Sequence, residues 1–320
     1  MIQRTSSSQT VSFQLSLKSM FFQKTIRQTV EVHGVGIHSG EKTTLRFKPA
    51  PAQTGVYFIR ADLPGRPYLK VSAVNVKAVS YQTTLGGPQF QVATIEHCVS
   101  ALSALRIDNI YIELDGPEIP ICDGSARDFV QALLKAEVIE LDEPRKYCYI
   151  TEPISYSEGD KSAYVLPYHG LRLSVAIDFS HPVIGSEKID LEVNEQTFIR
   201  EISSARTFGF VKDVEAMKAA GLARGGSLQN CIVLDDTKVL NPEGLRFKDE
   251  FVRHKALDAL GDLVTLEMPL MGHMVLQKAG HDIMNKLIRK IVASPQSYRF
   301  VELGADVSAE VKKFTNWTLS

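Results

Sequence analysis

The stretch RHKALDALGDL, residues 253–263, places His254, Asp258 and Asp262 at intervals of four. In an α-helix such positions lie one above another on a single face. Leu257, Leu260 and Val264 fall on a different stripe, as expected when that face packs into a core. The polar stripe is unfavourable for a helix. Two carboxylates at i,i+4 repel by roughly a few tenths of a kcal/mol, and aspartate and Gly261 are poor helix formers. Two readings are open: a solvated face, or a helix that carries a cation.

The rest of the chain narrows the choice. Its 320 residues suffice for two ordinary domains, each with its own core. The 36 basic and 37 acidic residues nearly cancel, so no global field favours nucleic acid and none is expected as a partner. Cys98, Cys122, Cys148 and Cys231 are scattered without a CxxC pair, which argues against a thiolate zinc site and fits a reducing, cytoplasmic setting. No apolar run approaches the roughly 18 residues of a membrane span. The first 20 residues hold six serines, and the first acidic residue of the chain is Glu31. A leader of that composition can direct organelle import. Residues 1–20 are read instead as an N-terminal extension, disordered or processed, or the product of a start codon upstream of Met20.

From Thr25 the pattern is strand-like: TIRQTVEVHGVGI, KTTLRFKPA and GVYFIRADL, broken by Gly and Pro turns. A helix is expected over 94–104, a strand over 109–116, and a helix over 125–138 with Ser125 as its N-cap. LDEPRK, 141–146, is a charged linker with a proline and the expected boundary between a domain at 21–143 and another at 144–320. The second half repeats the order. Strands are expected at YCYITEPISY, SAYVLPY and LRLSVAIDF, a helix at VEAMKAAGL, a strand at CIVLD, and the helix at 251–266. MVLQKAG then reads as a strand and HDIMNKLIRKIVA as a helix. The expected class is α+β: two domains of similar topology, each a mostly antiparallel sheet with two helices, the sheets packed between helical layers.

Histidine placement carries the chemistry. His97 follows Glu96 directly in ATIEHCVSAL, early in the first long helix. Neighbours on a helix point about 100° apart, so one of the two can ligate an ion while the other stands beside it. With His254 and Asp258, His97 completes two imidazoles and one carboxylate, a set used by catalytic zinc with a fourth position left open. Glu96 is then the candidate general base. Asp262, one turn further, is too distant to ligate and is placed to orient or charge a second histidine. HxxxD alone is a weak signal. His33, His169, His181 and His273 are read as ordinary surface or core residues, and KDVEAMKAA, 212–220, as a solvated helix face.

Beyond these residues the whole chain resembles the UDP-3-O-acyl-N-acetylglucosamine deacetylases, zinc amidases of lipid A synthesis. The matching stretches occur in the family's order: HGVGIHSG (33–40), ATIEHCVSAL (93–102), EIPICDGSA (118–126), SSARTFGF (203–210), GLARGGSLQN (221–230), NPEGLRF (241–247), DEFVRHKALDALGDL (249–263) and KAGHDIMNKL (278–287). The resemblance implies that His97, His254 and Asp258 hold zinc, and that Glu96 takes a proton from the attacking water. It implies that His281, partnered by Asp262, is a protonated histidine that assists the leaving amine or steadies the oxyanion, and that the Thr207 hydroxyl bonds that oxyanion. Lys255 matches a cation at the substrate sugar, Phe208 a wall of the substrate site, His38 a residue lining the same cleft, and Gly226 part of an apolar passage for the acyl chain. The implied fold has zinc at the domain junction, and the expected oligomeric state is a monomer. SYQTTLGG (80–87) follows the family only loosely, and no role is carried over from it. Two rivals stand beside this reading: a non-catalytic binding protein on the same fold, and a different zinc amidohydrolase such as a peptidase. No HExxH occurs in the sequence.

Overall fold

The computed structural model describes residues 21–303, so the extension read into residues 1–20 lies outside the described residues. A five-stranded sheet runs in the order Val30–Val35, Lys42–Pro49, Ile110–Leu114, Val56–Arg60, Tyr68–Lys70. Alternation in KTTLRFKP turns Leu45 and Phe47 into the core, while Arg46 and Lys48 on the other face pair with Glu31 and Glu113. A seven-stranded sheet is organised around Leu270–Gln277, which runs antiparallel to Lys161–Leu166 and parallel to Leu171–Asp178. The same strand meets Lys146–Ile150 at Leu270 and Met271. Every strand of the first sheet ends before residue 115, and every strand of the second begins after residue 145.

Among the described residues there are five longer helices: α1 (Glu96–Ala104), α2 (Arg127–Lys135), α3 (Val211–Ala219), α4 (Glu250–Leu263) and α5 (His281–Val292). Helix α2 lays Phe129, Val130 and Leu133 inward, with Phe129 edge-on to Phe47 of the first sheet. Helix α5 covers the strands Ile154–Glu158 and Lys161–Leu166, and α4 packs on Leu171–Asp178 and Ser186–Glu192. Helix α1 packs against α2 and, more extensively, against α4. The α+β class is as expected, but the layering differs: helices lie between the sheets. Helix α4 dictates this, because twelve of its fourteen residues are buried and it must be covered around its whole circumference. Helix α3, by contrast, buries none of its residues, as a solvated face requires.

Gly261 fixes how closely α1 and α4 approach. A Cβ at this position would overlap the carbonyl oxygen of Glu96. Glycine costs a helix interior about 1 kcal/mol relative to alanine. Burial of Leu257, Leu260 and Leu263 beside it, worth about 1.5–3 kcal/mol each, outweighs that cost.

Two local expectations are corrected, and one strand has no counterpart in the sequence reading. LDEPRK is no free linker: Val138–Pro144 is a strand paired with Phe22–Ile26, and buried Arg145 is held by Asp108 at 2.6 Å. Its charges alternate with partly buried positions, so the stretch reads as solvated although one face packs. Ser125 is not the N-cap of α2. Asp123 accepts from both its N–H and its hydroxyl in a turn, which places the cap at Ala126. Ser186–Glu192 is a strand that its four charged residues conceal, as is common at a sheet edge.

Candidate active site

The buried interface between α1 and α4 holds the polar stripe. His97 comes from the first turn of α1, and His254 and Asp258 from successive turns of α4. The solvated-face reading of that stripe fails, since His254, Asp258 and Asp262 are all buried. One candidate ligand atom from each of His97, His254 and Asp258 lies within 4.8 Å of the others. The two imidazole rings stand nearly perpendicular, 4.9 Å between centres. Asp258 Oδ1 lies 3.2 Å from His254 Nε2 and 3.7 Å from His97 Nε2. The Ala205 carbonyl oxygen lies 3.1 Å from His254 Nδ1, so an N–H there leaves the Nε2 lone pair facing the cluster.

These residues suit a cation. Asp258 Oδ1 is buried without a hydrogen-bond partner among the described residues, and the Nε2 atoms of His97 and His254 converge on it. Leaving such an oxygen unpaired is costly, and a bound ion at the meeting point relieves it. Burial, then His254, pushes the His97 imidazole down to about 3, which keeps it neutral and able to donate a lone pair. Burial alone would raise the Asp258 carboxyl, but His254 and Lys255 hold it well below the usual carboxylate range. Two nitrogens and one oxygen form a donor set used by zinc.

A proton-handling pair borders this trio. Glu96 is buried, with Oε1 at 3.8 Å from His281 Nε2. Burial pushes its carboxyl up to about 7, against the opposing pull of His281. His281 Nδ1 donates to Asp262 Oδ2 at 2.8 Å. Burial works against the imidazolium, yet the charge and hydrogen bond of Asp262 raise His281 to about 9. Two neighbouring groups that titrate near 7 and near 9 can act as base and acid in the interval between.

The remaining candidates fall into two places. Lys255 Nζ donates to Asp258 Oδ2 at 2.7 Å and stands 5.4 Å over the Phe208 ring, which itself meets His254 at 6.4 Å. Thr207 precedes Phe208, and its backbone bridges Gly124 and Ile232. His38 and Gly226 belong to a neighbouring junction of two loops. There His38 Nδ1 accepts from the Ala223 N–H at 3.3 Å, and a Cβ on Gly225 would overlap the Gly36 carbonyl. Glu118 ties this junction to the entry of α1, accepting from the His38 N–H at 2.9 Å and the Thr94 hydroxyl at 2.8 Å. A cavity of about 440 Å³, lined by Leu102, Arg106, Tyr147, Leu263 and Met268 among others, opens at the opposite ends of α1 and α4 and contains none of these groups.

One residue at the cluster was given no role by the sequence. Thr83, in SYQTTLGG, donates its N–H to Glu96 Oε2 at 3.0 Å and its hydroxyl to Asp262 Oδ1 at 2.6 Å. No motif marks it, because its partners lie 13 and 179 positions away. Of the histidines set aside, His181 is buried against the Asp235 carbonyl, His273 bonds Ser174, and His169 stacks on Tyr149.

Comparison with known proteins bears on what this geometry serves. The family model described as UDP-3-O-acyl N-acetylglycosamine deacetylase matches residues 23–293. A protein of Bdellovibrio bacteriovorus named UDP-3-O-acyl-N-acetylglucosamine deacetylase is 71% identical over 300 residues, covering 94% of this chain and 99% of that protein. Proteins of the same name from Myxococcus xanthus and Acidithiobacillus ferrooxidans are 46% and 42% identical, covering 88% of this chain and 90% and 94% of theirs.

Proposed function

Because the chain belongs to the UDP-3-O-acyl N-acetylglycosamine deacetylase family, we propose that it hydrolyses the N-acetyl group of UDP-3-O-acyl-N-acetylglucosamine for lipid A biosynthesis. Water adds to the acetyl carbon, the C–N bond breaks, and acetate and the free glucosamine amine leave. The observation that carries this reading is the buried His97, His254 and Asp258 trio standing directly beside Glu96 and His281.

His97, His254 and Asp258 would hold zinc, which when bound supplies Lewis-acid activation of water and carbonyl. Glu96 takes the proton from the attacking water. His281 keeps its Nδ1 proton on Asp262 and turns Nε2 toward Glu96 Oε1, where it can protonate the departing nitrogen or steady the oxyanion. Thr207 contributes a hydroxyl to the oxyanion. Phe208 forms a wall of the substrate site, and Lys255 meets the sugar after exchanging its Asp258 contact for substrate. His38 and Gly226, at the loop junction beyond Thr94, line the cleft and the acyl passage.

The same reading divides the chain into units at 21–143 and 144–320, supported by two sheets that share no strand across residue 144. It makes the protein a cytoplasmic monomer acting on a small nucleotide-sugar lipid. No helix among the described residues is long and apolar enough to cross a membrane, and all four cysteines are free thiols.

Mass spectrometry of purified chain incubated with the substrate should detect acetate and the free-amine product. Tight substrate binding without either product would replace the enzyme reading with that of a binding protein.

A further inference from the structure

We propose that Thr83 is a positioning residue that sets the geometry of both proton-handling groups, an inference that rests on the deacetylase reading. Its backbone N–H is fixed on Glu96 Oε2 at 3.0 Å, leaving Oε1 as the oxygen that faces His281. Its hydroxyl has a single hydrogen, directed to Asp262 Oδ1 at 2.6 Å, which leaves Oδ2 to receive the His281 Nδ1–H at 2.8 Å. The Thr83 oxygen also lies 3.3 Å from that same nitrogen. Thr83 is 2% exposed, so no water competes for these positions from bulk solvent.

The arrangement explains how a loop residue matters to two helices. A carboxylate held at one oxygen only can rotate about its terminal torsion, a broad and soft coordinate. With Oδ1 held by Thr83 and Oδ2 by His281, Asp262 has one orientation, and so does the imidazole it supports. Glu96 is likewise held from outside the reacting space. Thr83 is buried and its hydrogen bonds go to Glu96 and Asp262, so it acts through those two carboxylates rather than on substrate.

The test compares Thr83→Val, which keeps the shape and removes the hydroxyl, with Thr83→Ser, which keeps the hydroxyl, in full-length zinc-loaded protein. Loss of an outer partner of a catalytic group typically costs about 10–100-fold. Thr83→Val should lower kcat by about that factor with KM within about twofold of wild type and one zinc retained per chain. Thr83→Ser should restore most of kcat. Should Thr83→Val fail to unfold cooperatively, Thr83→Ala against Thr83→Ser makes the same comparison. A Thr83→Val kcat equal to wild type would overturn the inference while leaving the deacetylase reading intact, as would a serine variant no better than valine or a loss explained by lost zinc. Wild-type protein without deacetylase turnover would overturn the functional reading, and this inference with it.

Discussion

Replacing Asp262 with asparagine should move the basic limb of the pH–rate profile and leave zinc in place. The groups facing His281 are Thr83, Glu96, Asp258 and Asp262. Burial lowers the imidazolium, and Asp262 contributes the largest opposing influence, holding it at about 9 against an ordinary 6.5. Asparagine keeps an oxygen for the Thr83 hydroxyl but loses the charge. Without that charge burial is the largest influence left, opposed by Glu96 and Asp258, so the imidazolium should release its proton no higher than its ordinary value. The sign follows: a protonated acid is required, its pKa falls, and activity is lost at lower pH. At pH 8 the protonated fraction drops from about nine-tenths to about one-thirtieth or less, a rate loss of roughly 30-fold or more, and the difference should shrink steadily as the pH is lowered. The assay is kcat/KM for acetate release from pH 5.5 to 9.5, with metal content measured on the same samples. A variant that retains zinc and whose basic limb does not move would refute the division of labour between Asp258 and Asp262.

Three further outcomes are expected. Glu96→Gln should retain fold and zinc while losing about 10²–10⁴-fold in rate, the usual contribution of a general base, read from kcat on metal-matched samples. His97→Ala or His254→Ala should cut zinc affinity severely, because each removes one of the three proposed ligands; metal analysis after dialysis checks this, and undiminished affinity would remove that residue from the site. Gly261→Ala should destabilise the protein by about 1–3 kcal/mol in denaturant unfolding, despite alanine's better helix propensity, because its Cβ must push α1 away from α4.

The legible parts of this molecule are those written in short-range pattern. The intervals among His254, Asp258 and Asp262 announce one helical face, and alternation in KTTLRFKP announces one strand. His97 was legible as a chemical type beside Glu96, but only the packing of α1 on α4 brings it to the other two. What stayed hidden depends on distant partners. Gly261 reads as a weak helix residue until the Glu96 carbonyl is seen against it. Thr83 reads as a loop threonine until Glu96, Asp262 and His281 surround it. The order of layers was missed for a related reason. A helix buried on all sides carries the same leucine stripe as one buried on a single side, and in α4 the additional buried positions include Glu250, His254, Asp258, Asp262 and Gly261, residue types that look solvated in sequence.

We propose that one zinc ion, held by His97, His254 and Asp258, makes this chain a deacetylase. The most direct measurement is acetate release from UDP-3-O-acyl-N-acetylglucosamine by protein stripped of metal and then titrated with zinc. The account predicts negligible turnover in the stripped protein and recovery that saturates at about one equivalent per chain, the stoichiometry of a three-ligand catalytic site. Full turnover without metal, or none at any zinc level in folded protein, would contradict it.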